Sequence, residues 1–147
     1  MPVEDIMAKV KNSRSTAREI AFKLVFEDMF GTSTAHSMLG VLFDEDVNWN
    51  DITEENKEYI EWARQNTKDH QEDVDKVISE FAKGWKIDRM NRVDVSILRL
   101  AITEIMFRED VTSAIAINEA VELAKKYSTD EAPQFINGIL GAYVRSL

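Results

Sequence analysis

Lys11, Arg14 and Arg18 recur at i, i+3 and i+7, a spacing that lines one face of a helix. A ladder of cations suits a chain of repeated phosphates, and the same spacing also suits a solvated helix start. Phe135, with Gln134 beside it, stands at the edge of a later apolar stripe of Ile136, Ile139, Leu140 and Tyr143. An edge aromatic can carry an unstacked base, and a neighbouring amide can bond a base edge. A core aromatic is the plain alternative. Phe22, Phe26 and Met29 form a second apolar line on a segment that already has one in Ala17, Ile20, Ala21, Leu24 and Val25. Such a helix is either sandwiched between two layers or presents a partner patch, where aromatics and Met are favoured.

Bond-making chemistry has no comparable support. There is no Cys, so disulfides, thiolate metal sites and a Cys nucleophile are excluded. His36 and His70 are the only histidines, and neither sits in a ligand or triad motif. No Gly-rich phosphate loop is present, and the abundant carboxylates form no recognisable catalytic pair. No enzymatic activity, metal or cofactor is expected.

The positioning elements must come from a chain of 147 residues that is 44% hydrophobic and 31% charged, which describes a folded domain. The net charge is −9, and acid is concentrated early: residues 1–73 carry 8 basic and 16 acidic side chains, residues 74–147 carry 10 and 11. An acidic whole disfavours nonspecific adhesion to nucleic acid or membrane. Two local exceptions stand out. Residues 9–23 are net +4, and residues 83–92 are net +3 through Lys83, Lys86, Arg89 and Arg92 against Asp88. The start MPVEDIM has acid where an export signal needs base, and no apolar run approaches about 18 residues. A cytoplasmic location without a membrane span is expected.

With only 5 Gly and 2 Pro, long helices are favoured over many turns. Helical periodicity covers about 15–30 and 33–43, and an acidic loop is expected over 44–52. Thr53 can cap the next helix, with acids in its first turn, and apolar faces continue to near Gly84. Residues 93–108 are apolar around most of the helix, leaving Arg92, Ser96, Arg99 and Thr103 as a narrow polar stripe. Asp94 reads as a cap ahead of Ile97. A helix capped by Thr112 or Ser113 would bury Ile117, Ala120, Val121 and Ala124 and pair Glu122 with Lys126. The last helix follows the break at 128–130, with Pro133 in its first turn. The expected class is all-α, with about seven helices in two packed bundles. Residues 1–13 would form an arm, and 14–147 one helical domain subdivided near residue 84.

Four ordered strings make this pattern specific: Trp85-Lys-Ile-Asp-Arg89, Ile97-Leu-Arg-Leu-Ala101 with Glu104 beyond, Ile117-Asn-Glu-Ala-Val-Glu-Leu-Ala-Lys125 and Phe135-Ile-Asn-Gly-Ile-Leu140. Together they resemble the NusB family of bacterial transcription antitermination factors. The resemblance implies a noncatalytic protein that binds boxA, a short single-stranded RNA element, together with the ribosomal protein NusE. That assembly would act on transcribing RNA polymerase through other Nus factors and promote transcription of ribosomal RNA operons. It further implies RNA contacts at Arg14, Arg18 and Phe135, with Glu131 tempering RNA affinity and Phe26 and Asp94 facing NusE. Ser15 and Thr16 stand where relatives are often basic, so weaker or more partner-dependent RNA binding is expected. The resemblance is compatible with a monomer and with a homodimer that covers the RNA face. A similar domain precedes some ribosomal RNA methyltransferases, but a chain of this length without Cys is not expected to transfer methyl groups. The alternative reading is a helical protein-interaction module without RNA binding. Asn118 and the Asn137-Gly138 pair read as structural, Gly138 by allowing close helix approach.

Overall fold

Ser13 opens the first helix: its Oγ accepts from the Thr16 backbone N–H at 3.0 Å, satisfying a donor that the helix start leaves unpaired. A computed structural model describes residues 13–30 and 49–147. Among these residues there are six α-helices and two single 3-10 turns, with no strand. The helix expected over 33–43 and the arm before Ser13 lie outside the described residues. The chain divides into two units, residues 1–64 and 65–147, and Gly84 lies inside the second.

In the first unit, α1 spans Arg14–Asp28. Ala17, Ile20, Ala21, Leu24 and Val25 are all buried, as their spacing predicts. Helix α2 spans Glu54–Asp69 and starts on Thr53, whose Oγ1 accepts from the Asn56 N–H at 3.3 Å. Glu54 and Glu55 then occupy the positive end of the helix dipole. Arg64 ties α2 to the end of α1 through two bonds of 2.8 Å to Asp28. Bonding to Asp28 raises the Arg64 pKa further above its already high value, so the pair stays ionised.

The second unit packs α3 (Gln71–Phe81), α4 (Arg92–Phe107), α5 (Ser113–Tyr127) and α6 (Ala132–Arg145). Helix α4 is its axis, with every residue from Asp94 to Glu104 buried. Beyond exposed Arg92, the polar stripe therefore does not face solvent. Ser96 and Thr103 donate to the carbonyls of Arg92 and Arg99 one turn earlier, and Arg99 reaches Asp75 of α3 with two bonds of 2.8 and 2.9 Å. Asn91, not Asp94, caps this helix by accepting from the Val93 N–H.

Helix α5 is capped by Thr112, but its buried face is Ala116, Ala120, Leu123 and Ala124, leaving Ile117 and Val121 half-buried. Small side chains let this helix approach its neighbours closely. Glu122 pairs with Lys125 at 3.1 Å rather than with Lys126, which lies over the Tyr127 ring. Asn118 is exposed.

Two glycines now separate cleanly. Gly84 has φ +81, a left-handed conformation that turns the chain after α3, whereas Gly138 is helical and exposed with open space where a Cβ would stand. Close helix approach is thus not the role of Gly138. Gly84→Ala should destabilise by about 1–2 kcal/mol, and Gly138→Ala should stabilise by about 0.5–1 kcal/mol. Urea unfolding of both variants checks the opposite signs.

Candidate functional site

The residues singled out by sequence gather in two places, one in each unit. At the start of α1, the Arg14 Nε donates to Asn56 Oδ1 at 3.0 Å. The guanidinium carbons of Arg14 and Arg18 lie 4.6 and 5.4 Å from the centroid of the Tyr59 ring, which is fully buried. Arg14 is half-buried, while Arg18 is only 4% exposed. A desolvated cation over an aromatic face is stabilised by about 2 kcal/mol. The two arginines share one aromatic seat, with Arg14 the more open. Lys11 lies outside the described residues. Of the two hydroxyl residues that replace expected basic ones, Thr16 serves the Ser13 cap and Ser15 is exposed.

Further along α1, Phe22 is buried, Phe26 half-buried and Phe30 exposed. Their rings follow one another at 6.5 and 5.1 Å, so an aromatic line emerges from the core toward solvent. Sequence reasoning ended this line at Met29 and missed Phe30, although the i, i+4, i+8 spacing carries the signal.

The second place is a groove of about 210 Å³ in the second unit. Trp85, Arg89, Met90 and Asn91 line it from the α3–α4 connection, Asp94 from α4, and Thr129, Glu131, Ala132 and Phe135 from the α6 side. Trp85 and Phe135 meet edge-to-face, centroids 5.7 Å apart and planes at 69°. Phe135 is half-buried and Gln134 exposed in the first turn of α6, and exposed Glu131 is the residue at its N-cap. The groove thus collects three candidate site residues read separately from sequence, together with Trp85 of the first family string and Arg89 of the basic cluster.

Asp94 is buried and accepts a 2.6 Å bond through Oδ1 from the Ser128 hydroxyl at the end of α5. Burial pushes its carboxyl above the ordinary aspartate range, and the Ser128 bond pulls partly the other way.

This arrangement of helices can be compared with known proteins. Residues 15–145 match the NusB family. The chain belongs to that family. Transcription antitermination protein NusB of Natranaerobius thermophilus is 43% identical over 139 residues, spanning 92% of this chain and 96% of that protein. The same protein of Acetivibrio thermocellus is 44% identical over 133 residues, spanning 90% of this chain and 88% of its own length. Among solved structures, T. maritima NusB aligns with a TM-score of 0.77 at 29% identity, over 91% of this chain and 92% of that one. Antitermination factors NusB and NusE in complex with dsRNA align with a TM-score of 0.76 at 25% identity, over 91% of this chain and 97% of the matched chain. The four family strings of this member fall on the α3–α4 connection, α4, α5 and α6. Among the described residues, no helix is long and apolar enough to cross a membrane.

The Asp94–Ser128 bond has a signed consequence. Because the folded carboxyl has a raised pKa, its ionised form is the penalised one, and the penalty is relieved as pH falls through that raised pKa. Ser128→Ala removes the bond that eases the ionised form and should cost about 1.5–3 kcal/mol near neutral pH. The loss should shrink in acid, where Asp94 is protonated. Thermal melts of both proteins between neutral and acidic pH check the trend.

Proposed function

We propose that this chain is a noncatalytic transcription antitermination factor that binds boxA-type single-stranded RNA together with ribosomal protein NusE. In this reading the assembly acts on transcribing RNA polymerase through other Nus factors and promotes transcription of ribosomal RNA operons. The observation that carries it is the likeness, along nearly the whole chain, to a NusB solved with NusE in complex with dsRNA.

The geometry supports a division of labour. Arg14, the more open of the two cations on Tyr59, contacts RNA phosphate, and Arg18 contributes chiefly by holding that aromatic seat. Phe135 stacks a base, Gln134 bonds a base edge, and the Glu131 carboxylate tempers affinity for the polyanion. Phe22, Phe26 and Asp94 serve the NusE side, with Phe26 the more open of the two aromatics. Joining two weak contacts raises the effective affinity of each without chemistry.

Titrating a boxA-type oligonucleotide with the protein, with NusE and with the pair tests this reading. Binding should be weak with either alone and clearly tighter with both. Equal affinity with and without NusE would contradict the cooperative mechanism, and no RNA binding in any arm would favour the interaction-module reading. Within the complex, Arg14→Ala should reduce the dependence of log affinity on log salt by about 0.7, the single-strand value for one phosphate contact. Phe135→Ala removes no charge and should cost about 1–3 kcal/mol at every salt concentration.

A further inference from the structure

We propose that Asn56 is a positioning residue for phosphate recognition: with Tyr59 it fixes the direction of the Arg14 guanidinium before RNA arrives, while touching no RNA itself. The inference rests on the reading of Arg14 as a phosphate contact and adds to that site a residue from a different helix, α2.

Asn56 and Tyr59 stand three residues apart on α2, a spacing that puts both on one helix face. Both are buried, Asn56 at 6% exposed and Tyr59 at 0%. Asn56 is anchored in the first turn of the helix, where its backbone N–H donates to Thr53 Oγ1 at 3.3 Å. These two side chains restrain different motions of Arg14. The Tyr59 ring, with its centroid 4.6 Å from the guanidinium carbon, holds the cation close. A ring face alone leaves that cation free to turn. The 3.0 Å bond from Arg14 Nε to Asn56 Oδ1 removes the freedom, because it engages one edge of a rigid planar fork.

The chemistry of the partner separates Arg14 from the arginines that hold helices together. Arg64 gives two bonds to the Asp28 carboxylate and Arg99 two to that of Asp75. An ion pair of that kind orders the guanidinium and cancels its charge. Asn56 offers a neutral oxygen instead, which orders Arg14 without cancelling the positive charge that a phosphate requires. This bond uses one of the five guanidinium N–H donors. Arg18, on the same ring, is only 4% exposed, and hydroxyl residues Ser15 and Thr16 lie between the two arginines. With the cationic ladder this thin, the direction of half-buried Arg14 counts for more. Fixing one long, flexible side chain in advance is worth about 2- to 10-fold in affinity.

The test uses the full chain, NusE and a boxA-type single-stranded oligonucleotide, with affinity read against salt. Asn56→Ala should weaken binding about 2- to 10-fold and leave the salt slope unchanged, since the phosphate contact still forms but from a side chain not yet fixed. The same change in an Arg14→Ala background should cost nothing further. Asn56→Asp keeps the size and shape of the side chain but gives Arg14 a carboxylate partner. The slope should then fall by about 0.7, as it does for Arg14→Ala. NusE binding and helical circular dichroism of each variant should match the wild type. If Asn56→Ala and Asn56→Asp both bind RNA as the wild type does, with the full slope, the positioning role is wrong while the RNA-binding function stands. If Asn56→Ala weakens binding equally with and without Arg14, it acts through the fold at large and the role is equally wrong. If the wild type binds no RNA with or without NusE, the functional reading fails and the positioning role fails with it.

Discussion

A helix buried from Asp94 to Glu104 can send none of its polar groups to water, so each must be settled within the protein. Helix α4 does this in two ways. Ser96 and Thr103 turn back on their own helix, which costs no tertiary arrangement. Arg99 and Asp94 reach out, to Asp75 on α3 and to Ser128 at the end of α5. These outward bonds have geometry as well as energy, and they tie α3 and the end of α5 to the same buried helix. The groove follows from that. Trp85 and Arg89 lie on the connection after α3, and Glu131 and Phe135 lie just past Ser128, so both walls hang from the same buried helix.

Much of the fold was legible because its signals are local. Thr53 and Thr112 sit just ahead of the helices they start, and Pro133 falls in a first turn where its missing N–H costs nothing, whereas the Ser13 cap of α1 was not read from the sequence. The narrow polar stripe on α4 marked a central helix, and the burial of the stripe itself beyond Arg92 has a physical reason. Hydroxyls and arginine look like solvent-facing residues in sequence, but a hydroxyl can bond its own helix, and a bidentate partner 24 positions away makes Arg99 buriable. The buried face of α5 was shifted by one residue because periodicity weighs Ile117 above Ala116, whereas close packing of helices favours the smaller side chain. The helix total differs from expectation, with six seen among the described residues.

The site was legible residue by residue and not as an arrangement. Phe135, Glu131 and Asp94 were each identified, but only packing brings them to one groove, and Asp94 proved a buried hydrogen-bond acceptor rather than a cap. Arg18 was read as a rung of a phosphate ladder because Tyr59, the ring that covers it, is 41 positions away and periodicity on α1 cannot report it. Trp85 entered only as part of a family string. Tryptophan is apolar by composition, so its exposure is a property of the Gly84 turn and the connection, not of any repeat.

The central claim is that Phe135, in the first turn of α6, belongs to the RNA face. Photo-crosslinking reads this directly, using boxA-type RNA in which single nucleotides are replaced by iodouridine, in the presence of NusE, followed by mapping of the attached peptides. Crosslinks on Phe135 from one region of the RNA, competed away by unlabelled RNA, are the predicted result. Efficient crosslinks confined to other segments, with Phe135 unmodified, would contradict it.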